Sequence, residues 1–116
     1  MPSLYTKSVT IANTATSSDA VQMVDSYNQT VESLVGVIAP AGFTTADLTF
    51  QFSLDNSTFI TAKNAAGTAI TVTSLAASEW RALDPTDFLG AKYLKVVSSV
   101  AQTGGDIITL VIRGVG

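Results

Sequence analysis

LTFQFSLDNSTFITAKN, residues 48–64, is the stretch on which the fold turns. Leu48, Phe50 and Phe52 alternate with Thr49, Gln51 and Ser53, the period-2 pattern of a strand with one apolar face. A polar Asp55-Asn56-Ser57 bend follows, and Phe59 to Ala62 resumes an extended run. Asp55 and Asn56 tolerate the left-handed backbone of a tight hairpin, and an Asp carboxylate can bond its own backbone two residues on. The stretch therefore predicts two strands around a bend, with Phe52 and Phe59 packing on one core or across the pair. A calcium or sugar loop at Asp55 is the competing reading, and the bend is preferred.

The same alternation runs outward in both directions. Tyr5, Lys7, Val9 and Ile11 oppose Thr6, Ser8 and Thr10, and AVQMV (20–24) is a short strand followed by a turn at SYNQT (26–30). ESLVGVIAP (32–40) is a continuous apolar strand closed by Pro40, which lacks a ladder donor. FITAKN and AITVTS are strands joined through Gly67, which can take a positive φ. EWRAL is a short strand or turn, and YLKVVSS and DIITLVIRG are the last two strands, linked by a Gly104-Gly105 turn. One helical turn is expected at PTDFLGA, with Asp84 as N-cap and Pro85 in the first turn. Connections this short leave no room for parallel crossovers. The prediction is an all-β antiparallel sandwich or jelly roll of about eight strands, one domain over residues 1–116, with residues 1–4 as an N-terminal arm.

Composition narrows the chemistry. The 116 residues contain no Cys and no His, which removes disulfides, thiolate ligation and the usual general base near neutral pH. Charged residues make up 13% and the net charge is −3. Lys7, Lys63, Arg81, Lys92, Lys95 and Arg113 are scattered, so no basic stripe exists for nucleic acid. No run is apolar enough for a membrane span, and MPSLYTKSVT lacks a signal-peptide pattern, so synthesis in the cytoplasm is expected. Ser and Thr supply about a quarter of the chain. Such a surface relies on hydroxyls rather than ions, as is common where neighbouring subunits cover it.

Chemical sites are few. Asp84 and Asp87 have the residue types of a glycosidic carboxylate pair, but Asp84 as the cap of the Pro85 turn accounts for them. No Ser-x-x-Lys pair and no Walker loop is present. Asp19, Asp25 and Asp55 are the calcium candidates, without a dense acidic loop. No catalytic residue, cofactor or metal is assigned. Trp80, the single tryptophan, is open to three readings: a partly buried closure of the core, an interface anchor, or a sugar platform.

Ser53, Asp55, Thr58 and Phe59 resemble the Asp-box hairpin of sialidase-like repeats, with the Gly missing and one residue fewer. That box is a structural hairpin. Residues 19–113 as a whole resemble small virion proteins of tailed bacteriophages. The match runs through Pro40, Thr49 to Asp55, Gly67, and then Leu83, Pro85, Phe88, Gly90, Tyr93, Leu94 and Lys95. The resemblance implies a β-sandwich on the virion, a capsid cement or decoration protein on the outer head. Its partner would be the major capsid protein, and its own state a homo-oligomer, three-fold by preference. A carbohydrate-binding sandwich of a tail or fibre is the alternative. The closing strand is apolar on both faces, Ile107 and Val111 on one and Ile108, Leu110 and Ile112 on the other. One face of a sandwich strand should be polar, so a face lies under a covering loop or against a symmetry mate. The candidate assembly interface is Leu4, Tyr5, Trp80, Ile108, Leu110 and Ile112, with PSLYT covering what remains.

Overall fold

Leu48 and Phe50 turn inward from the centre of one sheet, and the rest of the molecule is arranged to bury them. The computed structural model describes residues 4–24 and 31–115. Among the described residues there are nine strands: β1 (Leu4–Ile11), β2 (Val21–Gln22), β3 (Val31–Ile38), β4 (Ala46–Ser53), β5 (Ile60–Thr61), β6 (Thr71–Leu75), β7 (Trp80–Ala82), β8 (Tyr93–Ser98) and β9 (Asp106–Val115). They form two antiparallel sheets, one of four strands ordered β1-β9-β3-β7, the other β2-β8-β4-β5 with β6 also paired to β4. The protein is a β-sandwich. Among the described residues, helix is limited to the 3-10 turn Pro85–Phe88, where Asp84 Oδ1 accepts from the Thr86 N–H.

The core lies between the sheets. Val9, Ile11, Leu34, Val37, Ile108, Leu110 and Ile112 meet Leu48, Phe50, Val72, Leu94 and Val96 from the other side. Phe88, carried by the 3-10 turn, drives its ring edge-on into Phe50 at 5.1 Å and 84°, and touches Phe52 at 5.7 Å. Proline at the first position of that turn sacrifices no helical bond. The turn exists to plug the core with Phe88.

Three connections that cross between the sheets meet at one buried side chain. Gln102 accepts the Thr44 N–H and donates to the Thr44 carbonyl, to Ser98 Oγ and to the Val100 carbonyl. Its backbone also accepts from Thr14 N–H and donates to the Ala15 carbonyl. A buried amide is tolerated when every donor and acceptor is used, and both ends of this one are. Gly104 and Gly105 next to it both have positive φ, as their turn requires. The expected turn at 26–30 and residues 1–3 of the expected arm lie outside the described residues, and Leu4 already belongs to β1.

Candidate assembly surface

The Asp55 bend closes on itself. Asp55 Oδ1 accepts from the Ser57 and Thr58 N–H groups at 2.9 Å and from Ser53 Oγ, while Ser53 Oγ accepts from the Asp55 and Asn56 N–H groups. The Thr58 and Ser57 N–H groups, with the Ser53 hydroxyl, hold its carboxyl below the usual range. Asn56 supplies the positive φ of 59°. Beside the bend, an open groove of about 490 Å³ runs past Phe52, Leu54, Ile60, Ala62 and Lys63. Asp84 likewise spends its carboxylate on Thr86, and Asp19 Oδ1 takes the Thr10 N–H. Asp25 lies outside the described residues. Among the described residues, no three His, Cys, Asp or Glu side chains converge on a metal position, and no helix is long and apolar enough to cross a membrane.

Register assigns the outer face of the four-stranded sheet. Thr6, Val111, Gly36 and Ala82 form one row across it, and Ser8, Thr109, Ile38 and Trp80 the next. Leu4 pairs with Arg113 at one end and Thr10 with Ile107 at the other. In these rows Arg113 is the one ionic side chain. Leu4 is 70% exposed, Trp80 63% and Ile107 53%. Hydroxyls fill the spaces between them. Gly36 is what lets the indole lie down: a Cβ there would stand 2.8 Å from Trp80 Nε1. Trp80 is thus an exposed side chain on a sheet face, not a closure of the core.

The sequence-predicted interface divides on this geometry. Leu4 and Trp80 are on the outer face and exposed. Ile108, Leu110 and Ile112 are not available to a neighbour, and their assignment is corrected. They are fully buried, with Val9 paired to Ile108 and Leu34 to Ile112 on the inner side. With both faces of β9 apolar, composition could not say which one turned inward. The outer residues that were missed are Ile107 and Ile38. The alternation of β1, which sets Val9 and Ile11 inward, reveals Ile107 as outward once the β1–β9 register is known.

Tyr5 takes a different role. Its hydroxyl donates to Glu32 Oε2, and Lys7 Nζ donates to Glu32 Oε1 at 2.5 Å and to the Gln22 carbonyl at 2.6 Å. Burial pushes the Glu32 carboxyl up and the Lys7 ammonium down. Partners compensate the buried charge, as burial demands, and Lys7 ties β1 of one sheet to β2 of the other. Tyr5 instead reaches across β9 to β3 within its own sheet. No protein-family model matches the chain, and a search of curated proteins gives no match.

Proposed function

We propose that the chain is a structural protein of a tailed-phage particle, a capsid cement or decoration protein bound to the outer head lattice. The observation that carries the reading is the outer face of the four-stranded sheet, where Leu4, Trp80 and Ile107 are exposed among hydroxyls and where, among the described residues, the paired rows hold a single charge, Arg113. Such a face gains by burial of apolar area and loses little by desolvation of ions. The resemblance through residues 19–113 supplies the particle, the major capsid protein as partner and a three-fold homo-oligomer as the working state. Many copies on one lattice add avidity to a weak individual contact. The proposed role is mechanical rather than catalytic, with the carboxylates of Asp19, Asp55, Asp84 and Glu32 engaged in turns, a cap and an internal ion pair.

The test uses heads of the phage that encodes the chain, assembled without it. Purified protein should sediment with them, and Ile107→Lys should weaken that binding at least tenfold while melting like the parent. The exposed Trp80 indole favours one other reading, a glycan-binding module of a tail or fibre. If heads take up no protein while host glycans retain it, and Trp80→Ala abolishes retention, that reading replaces the first.

A further inference from the structure

We infer that β1 is a docking edge for β1 of a second copy, joined about a two-fold axis at Thr6 into one continuous sheet. Along β1, Thr10 turns its backbone groups away from β9: its N–H goes to Asp19 Oδ1 and its carbonyl accepts from the Asp19 N–H. Because backbone direction alternates in an antiparallel ladder, Ser8, Thr6 and Leu4 turn the same way. Among the described residues nothing bonds those groups. Edges of this kind template further strands unless they are blunted. The outward side chains Leu4, Thr6 and Ser8 are exposed and uncharged.

The occupant follows from which registers the edge permits. Centred on Thr6, antiparallel pairing bonds Thr6 to Thr6 and Leu4 to Ser8 in both directions, and all their free groups are used. On the inner side Lys7 then faces the partner's Tyr5. A register centred on Lys7 would set two ammonium groups opposite each other, which is repulsive. One centred on Ser8 would call on Thr10, whose groups Asp19 already holds. One centred on Tyr5 keeps only the Leu4–Thr6 pairs. The strand is therefore complementary to itself in one best register, and that complementarity selects a second copy over a foreign strand. The contact uses the rim of the sheet, so a ring closed through its outer face leaves it open. The inference does not depend on the head-decoration reading.

The absence of cysteine makes the test clean. Bonded antiparallel pairs set Cα atoms about 5.5 Å apart, within disulfide reach. Under mild oxidation of the otherwise unaltered protein, Thr6→Cys should cross-link to itself at least tenfold faster than Thr10→Cys. Leu4→Cys and Ser8→Cys should cross-link when mixed but not alone. Adding Thr6→Pro to both members of that pair removes an edge donor and no β1–β9 bond, so it should slow cross-linking at least fivefold with the melting temperature retained. Circular dichroism confirms that each variant is folded. Equal rates for Thr6→Cys and Thr10→Cys, or cross-linking of Leu4→Cys alone as fast as the mixture, would overturn the proposal. So would cross-linking of Thr6→Cys only to a head protein, which would make the edge a receptor for a foreign strand.

Discussion

Phe50→Ala is the substitution that interrogates the core most directly. The ring is fully buried, sits on the central strand β4 opposite Val96, and receives the edge of Phe88 at 5.1 Å. Truncation of a buried Phe costs about 3–5 kcal/mol through lost transfer energy and the cavity left behind. Loss of the perpendicular Phe88 partner, whose turn is anchored by this contact, places the value in the upper half, about 4–5 kcal/mol. Against a stability of about 5–15 kcal/mol for a domain of this size, the variant folds with little to spare. At roughly 4 °C per kcal/mol, melting should fall by roughly 16–20 °C. Urea titration followed by far-ultraviolet circular dichroism measures the loss, and an unchanged slope shows that the exposed surface is unchanged. Phe52→Ala is the comparison. Phe52 is half-buried and meets Phe88 at 5.7 Å, so its loss should be smaller, about 1–3 kcal/mol. A Phe50→Ala cost below about 2 kcal/mol, or one smaller than that of Phe52→Ala, refutes the inward facing of β4.

Three further outcomes are expected. Ile108→Lys should abolish cooperative unfolding, since an unpaired ammonium would sit between the sheets, whereas its neighbour Ile107→Lys should fold normally; similar melting curves for the two would overturn the facing of β9. The Asp55 carboxyl is held low by its bend, so its contribution is present above the ordinary value of 3.8 and is lost as pH falls through the folded value. Asp55→Asn should therefore lower the urea midpoint at pH 7, with the gap from the parent closing in acid; a gap that widens in acid contradicts the assignment. Gly36→Ala should cost about 1–3 kcal/mol through collision with the Trp80 indole and the Arg81 carbonyl. Adding Trp80→Ala should recover part of it, and strict additivity of the two costs would show that the indole does not lie there.

Legibility from sequence followed the contrast between faces. β4 and β1 set one face apart from the other by alternation, and their inward faces were readable for that reason. The cap at Asp84, the bend at Asp55 and the Gly67 turn were readable because short polar side chains and glycine act through local geometry. β9 carries apolar residues on both faces, so periodicity gave the strand without its orientation, and Ile108, Leu110 and Ile112 fell on the wrong side. Trp80 depended on Gly36, forty-four residues away in sequence and adjacent only through the β3–β7 register. Tyr5 depended in the same way on Glu32. Contacts made across strands and between sheets leave no mark in a local pattern.

Gln102 has a consequence for where this chain can be lengthened. Loops of a sandwich are the ordinary places for inserted peptides, yet at this end the segments around Thr14, Thr44 and Val100 share one amide and its backbone. An insertion in any of them would be felt in the other two. The bend at Asn64–Thr68 is different: Asn64 Oδ1 accepts from the Ala66 and Thr68 N–H groups, and the Asn64 backbone bonds Thr68 and Gly67. That turn is held by its own residues, and a side chain at Gly67 would meet nothing within 4 Å. A foreign epitope spliced after Ala66 would disturb only the hairpin that carries it, and the sandwich would present it to solvent on an otherwise intact scaffold.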